Sequence, residues 1–150
     1  MAAFVSFLHF LAAFALVAAL TVQFVLIREE LNVRNATRLV IADAVYGIAA
    51  GTVLVAGALR VFYFDKGSAY YFASIPFLLK MALFVLVAAA SLYPTFEYLS
   101  WYKPLKQGQP PPVSEHKRRI LRSLVHWELA GIVLIVLCAA LMAKGLGYRG

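Results

Sequence analysis

Phe72–Tyr93 reads FASIPFLLKMALFVLVAAASLY, and Lys80 is the one charged residue in it. Without that lysine the stretch is an ordinary membrane-spanning helix, about 20 mostly apolar residues long. With it, the helix needs neighbours. A charge at bilayer depth is costly, so such residues face a bundle interior or a wet cavity and mark function. The fold expected around Lys80 is all-α, a four-helix antiparallel transmembrane bundle whose other helices cover the lysine.

The rest of the chain agrees with that beginning. Of 150 residues, 63% are hydrophobic, with a mean hydropathy of +0.82. A soluble domain is closer to half apolar. Ala2–Ile27 contains no Asp, Glu, Lys or Arg. Met1–Ala3 carries no positive charge, so this first run is expected to stay as a helix rather than act as a signal peptide. Four apolar segments follow from the pattern, at about 3–27, 39–62, 75–98 and 124–146, and residues 1–150 read as one integral membrane domain. The connections are REELNVRNATR (28–38), a turn around Asp65, Lys66 and Gly67, and a long linker (103–122) with QGQPPP at its centre. Pro112 stops any helix in that linker, and Ser114 opens a capping sequence before the final helix. Pro94 is expected to sit within the third helix, as membrane helices tolerate when neighbours satisfy the freed carbonyl.

Charge sets the orientation. The first and third connections carry Arg28, Arg34, Arg38, Lys103, Lys106, Lys117, Arg118, Arg119 and Arg122, against Arg60, Lys66, Lys144 and Arg149 on the other side. The positive-inside rule then places both termini outside. The net charge of +7 is concentrated at helix ends, so the expected partner is the lipid bilayer and its anionic head groups, not nucleic acid. Cys138 is the sole cysteine and is expected to be a buried, inert side chain.

Two polar layers result. His9 and Lys80 lie at equal depth, roughly 8–9 Å from the outer end of their helices at 1.5 Å per residue, with Arg60 and Lys66 above them. Asp43, Glu128, His126 and Glu97 lie toward the cytoplasmic end, with Arg28, Arg38 and Arg122 just beyond. Arginine at that level is the obvious partner for Asp43 and Glu128, so the inner layer is expected to be an ion-pair clamp; a proton path through the two carboxyls is the alternative. Asp43, Gly47, Gly51 and Ala58 fall close to one stripe of the second helix. Gly47–Gly51 is a GxxxG pair that permits close helix approach. His9, Ala12, Ala13, Ala19 and Gln23 share a face of the first helix, and His126 points away from Glu128.

A histidine among small residues suits a b-type haem, the imidazole serving as axial ligand. Arg60 and Lys66 would then pair with the propionates, and Lys80 would act as propionate partner or second ligand. Copper is a rival, since Met81, Met142, Cys138 and His9 all fall in the outer half and soft ligands suit Cu(I). Walker A, GxGxxG, HExxH and GxSxG motifs are missing from the sequence.

The segments HFLAAFALVAALTVQ, RVFYFDKGSAYYFASIPFLLKMALF, SLYPTFEYLSW and WELAGIVLIVLCAALMAKGLG together resemble an uncharacterised bacterial family of four-helix predicted membrane proteins. That resemblance implies a multi-pass inner-membrane location. His9 early in the first helix, Lys80 early in the third, and the Arg122-to-Glu128 element of the last are more distantly similar to the J-type protoporphyrinogen oxidase and the copper-resistance D membrane proteins. In the oxidases the matching His and Lys are tied to b-haem binding and activity. The leading expectation is therefore a haem-binding redox or haem-handling protein acting with a membrane redox partner. A non-catalytic scaffold or accessory subunit (dimerising through Gly47–Gly51) is the second expectation, and a small proton-coupled transporter using Asp43 and Glu128 is the third.

Overall fold

The uncharged run after Met1 forms α1 (Ala2–Leu26) in the computed structural model, which describes residues 1–149. Its 25 residues span about 37 Å, more than the hydrocarbon core of a bilayer. The second helix, α2 (Val33–Leu59), starts six residues before the apolar segment does. Asn32 explains this, because its side chain accepts from the Asn35 backbone N–H at 2.9 Å and so caps a first turn made of polar residues. The connection before the last helix shortens for the same reason. Ser114 accepts from Lys117 N–H, and α6 (Glu115–Ala143) takes up the whole basic run that hydropathy leaves in the linker.

Between α2 and the third span the chain is more ordered than a loop. Arg60–Phe64 continues α2 as a π-helical turn, closed by the Asp65 N–H on the Arg60 carbonyl at 2.8 Å. A short α3 (Ser68–Phe72) precedes α4 (Ile75–Ser100), which contains Pro94, and α5 (Tyr102–Lys106) follows it directly. After α6 the chain turns back through Gly145 and Gly147. Gly147 has φ +76° and lies so close to Pro76 that a β-carbon would sit 2.8 Å from its ring. This close approach lets Gly147 O accept from Ile75 N–H and Ala73 O accept from Arg149 N–H, both at 3.1 Å, and lets Tyr148 stack on Tyr70.

Four helices are thus long and apolar enough to cross a membrane: α1, α2 with its π turn, α4 with α5, and α6. Each packs against two others, in the order α1, α2, α4, α6 and back to α1. The tightest contacts are within the pairs α1–α2 and α4–α6. Gly131 sets the second pair, since a β-carbon there would lie 2.5 Å from Val87 Cγ2. The outside of the bundle is its apolar side. Phe14, Ile48, Val85, Phe96 and Trp127 are all exposed, the inverse of a soluble helix bundle.

Three apolar clusters fill the interior. Leu16, Leu20, Tyr46, Val87, Val125 and Ile132 form the central one; Ile27, Leu39, Tyr98, Trp101 and Leu121 close the end nearest the α1–α2 turn; Val61, Tyr71 and Phe77 close the other. The expected stripe on α2 is corrected here. Gly47, Gly51 and Ala58 face outward, and no atom lies within 4 Å of where a β-carbon on either glycine would be. The buried face is Ala42, Asp43, Tyr46, Ala49 and Ala56.

Cys138 is the sole thiol and is buried, so a single introduced cysteine reports topology cleanly. In a Cys138→Ser background, Gln109→Cys is expected to react with an impermeant maleimide only in inverted vesicles. Labelling in intact cells would reverse the orientation inferred from charge.

Candidate functional site

The inner polar layer lies between the central cluster and the cluster beside the α1–α2 turn. Gln23 falls between Leu20 and Ile27, Asp43 between Leu39 and Tyr46, and Thr95 between Val87 and Tyr98, each pair bracketing it with one residue from each cluster. Glu128 enters from α6, one turn past Val125. Every spanning helix therefore contributes a polar side chain to this layer. Gln23 and Glu128 are 1% and 2% exposed and Asp43 is 8%, which makes the layer as buried as the leucines around it.

The contacts within it are partial. Thr95 donates its hydroxyl to Asp43 Oδ1 at 3.0 Å. The Tyr46 phenol lies beside Glu128 and Ser91, and Asp43 is close enough for its charge to act on Glu128. Gln23 Nε2, Tyr98 Oη and Glu128 Oε1 are buried with no hydrogen-bond partner among the described residues. Orphaned polar atoms are uncommon in native interiors and point to a water, ion or catalytic role. Three in one layer, one of them on Glu128 itself and one on Tyr98 beside the two carboxyls, mark this layer as the candidate site.

The ion-pair clamp expected at this level is corrected. Among the described residues no arginine or lysine pairs with Asp43 or Glu128. Arg122 instead reaches Glu115 at 3.8 Å and the Ile27 carbonyl at 3.3 Å. Arg118 donates to the Ile27 and Arg28 carbonyls at 3.4 and 3.3 Å, and also to that of Glu29. Arg28 turns back over Phe24 and donates to the Phe24 carbonyl, while Arg38 is exposed. A clamp does exist, but it is the α6 arginines on the free carbonyls of the α1 C-terminus, where the helix dipole favours cations. Glu97 belongs to that clamp's rim, pairing with Lys117 at 3.1 Å and accepting from Trp101 Nε1 at 3.3 Å. His126 is exposed beside Phe24, as its position opposite Glu128 implies.

The outer layer is basic. His9 is half-buried on α1 with Nδ1 3.1 Å from the Val53 carbonyl, which can only accept, so Nδ1 carries the proton and Nε2 the lone pair. Gly57 makes room for the ring, since a β-carbon there would lie 3.3 Å from Cε1. Arg60 and Lys80 are both near enough for their charge to act on His9. Arg60 is bound to Asp65 at 3.0 Å, and Asp65 also accepts from Tyr71 Oη at 2.8 Å. Burial, and then that bond to Asp65, push the Tyr71 phenol up to about 12. Lys66 lies apart from this group, over the Tyr70 ring at 4.5 Å. Lys80 is half-buried with Nζ 5.4 Å from the Phe77 centroid and no hydrogen bond to any described residue.

Haem can be tested against these contacts. His9, with Nε2 free, suits an axial ligand. The two propionate partners suit it less, since Arg60 is held by Asp65 and Lys66 sits on Tyr70. Met81 and Met142 both pack against the outer apolar cluster, and among the described residues no three His, Cys, Asp or Glu side chains converge as a metal-holding group. Two apolar grooves of about 370 and 710 Å³ run along the α1–α2 pair, and neither is lined by His9, Lys80, Asp43 or Glu128.

What the fold and its two layers define is a four-helix membrane protein with a buried carboxyl pair that no cation partners among the described residues, and a separate cluster of basic side chains. The chain belongs to a family of predicted membrane proteins, DUF2214, whose profile matches residues 1–147. No curated protein matches the sequence, and no solved structure does.

Proposed function

We propose that the protein is a small proton-coupled carrier of the bacterial inner membrane, with both termini outside, and that Asp43 and Glu128 take up and release the coupling proton. The observation that carries this reading is the absence of any cationic partner for the two carboxyls among the described residues, together with the orphaned Glu128 Oε1. Two charges in a low-dielectric interior without counter-ions are costly, and a bound proton or small cation removes that cost. Carboxyls serving only to pin helices would be paired. Tyr46, Tyr98 and Thr95 supply hydroxyls around the pair through which a proton can be passed. The grooves along α1–α2 suit lipid chains, with Arg38 at the mouth of the larger one for a head group.

The test is a proteoliposome assay with a pH-sensitive dye inside. Across a panel of small organic anions, cations and neutral solutes, one class is expected to drive a proton flux that empty liposomes lack. No solute-dependent flux from any class would overturn the reading.

A second reading rests on His9, whose bond to the Val53 carbonyl leaves Nε2 free as a ligand. On the resemblance to J-type protoporphyrinogen oxidases and copper-resistance D proteins, His9 and Lys80 would hold a b-type haem that supplies one-electron chemistry. Its distinguishing result is a Soret band in protein purified in mild detergent, lost in His9→Ala and kept in His126→Ala.

A further inference from the structure

We infer that the basic cluster of Lys80, Arg60 and His9 binds the carboxylate of a small monocarboxylic acid with an apolar body. This rests on the carrier reading only for the statement that the bound acid is the carried solute.

The charge count sets the valence. Phe10 links His9 on α1 to Arg60 at the end of α2, with its ring centroid 6.0 Å from that of His9 and 5.6 Å from the guanidinium. Asp65, the ion-pair partner of Arg60, accepts from Tyr71, whose ring packs 5.2 Å from that of Phe77 beside Lys80 on α4. Lys80 is left with no acid and no hydrogen bond among the described residues, and Arg60 Nε is buried without a partner. One excess positive charge and two unfilled donors call for one anion with two acceptor oxygens, which is a carboxylate. A dianion would leave a charge over, and a neutral solute would leave Lys80 as it is.

The surroundings set the body. Arg60 lies 5.6 Å from the Phe10 centroid, Lys80 lies 5.4 Å from that of Phe77, and Phe77 belongs to the apolar cluster on which Met81 and Met142 pack. Apart from the donors themselves, little here would bond the hydroxyls of a sugar acid. The backbone also departs from regularity at this point. Arg60 opens the π-helical turn, a feature that recurs at functional sites. His9, with Nδ1 engaged by Val53, presents Nε2 as a proton acceptor beside the anion.

The test uses the full chain in nanodiscs and benzoate as the probe, with benzyl alcohol as its uncharged counterpart, by isothermal titration. Saturable binding of benzoate and none of benzyl alcohol is expected. Lys80→Met should weaken it by about tenfold or more, Lys80→Arg should recover part of the loss, and Lys106→Met should leave it unchanged. Should Lys80→Met not yield folded protein by gel filtration, Lys80→Gln takes its place with the same expectation. No saturable benzoate binding to the wild type, or equal affinity in the folded Lys80 variant, overturns the inference. The carrier reading fails separately. Benzoate bound with the expected Lys80 dependence, with no solute of any class driving a proton flux, would leave the anion site standing and remove the carrier. Proton flux driven by amines or neutral solutes, with no saturable benzoate binding, would do the reverse.

Discussion

Glu128→Gln is expected to lower solute-driven proton flux by about 10²-fold or more, the scale on which a positioned proton-transfer group acts, while the protein keeps its fold. The amide has nearly the shape of the acid but cannot carry the coupling proton. No buried cation is left unpaired by the change, because none faces Glu128 among the described residues. Asp43→Asn should act in the same direction. It keeps an acceptor for the Thr95 hydroxyl, so its effect on stability is small. Glu97→Gln is the contrasting case. It loosens the contact to Lys117 at the bundle end and should leave the flux unchanged, since Glu97 stands in the rim of the arginine clamp and outside the carboxyl pair. Flux measured with the same vesicles and dye decides the matter, and wild-type flux in Glu128→Gln would sink the assignment.

Gly131→Leu is expected to be the most destabilising single change in the bundle. A β-carbon at this position already meets Val87 Cγ2 at 2.5 Å, well inside contact distance, and α6 cannot back away without opening the layer that holds Glu128. Membrane helices associate chiefly through close packing, so small residues at contacts matter more than apolar area. Overpacking of this kind costs about 1–3 kcal/mol, and leucine should fall at or beyond the upper end. The measurement is the melting temperature in detergent, followed by intrinsic tryptophan fluorescence. Gly131→Ala should lie between wild type and leucine, and adding Val87→Ala should restore most of what Gly131→Ala loses, giving a coupling energy in a double-mutant cycle. A Gly131→Leu protein that melts with the wild type would mean that α4 and α6 do not approach at this point.

The spans are legible in the sequence because each is an almost uncharged run of bilayer length, a signal that does not depend on what the helix touches. Their ends are not. Hydropathy stops where charge begins, whereas the helix continues through polar residues once Asn32 or Ser114 has capped it, so α2 and α6 start six and nine residues earlier than the apolar pattern does. The face of α2 shows a second limit. Steps of four residues from Asp43 through Gly47 to Gly51 advance about 40° each on a 3.6-residue helix and walk off the buried side. The interior instead follows Ala42, Ala49 and Ala56, a seven-residue spacing that the glycines obscured.

The two polar layers were partly legible. An acid or base in an apolar run stands out, and His9, Lys80, Asp43 and Glu128 all stand out that way. Their partners do not, because partnership is decided by reach. Arg28, Arg38 and Arg122 lie near enough in depth to the carboxyls to suggest pairing, yet Arg122, together with Arg118, reaches the free carbonyls at the end of α1, which already carry the negative end of a helix dipole. Tyr46 and Tyr98 escape notice for a different reason. Tyrosine is common near membrane interfaces, and only the packing of four helices puts these two phenols, 4% and 1% exposed, against the buried acids.

The central claim is that the carboxyl pair between the four helices exchanges a proton with water. Infrared difference spectroscopy on reconstituted protein, taken between two buffer pH values, measures this at the bond concerned. A carboxylic C=O stretching band that changes with pH, and that is lost in Glu128→Gln and shifted in Asp43→Asn, is the result predicted. A spectrum in which no carboxyl band depends on either residue would contradict the account.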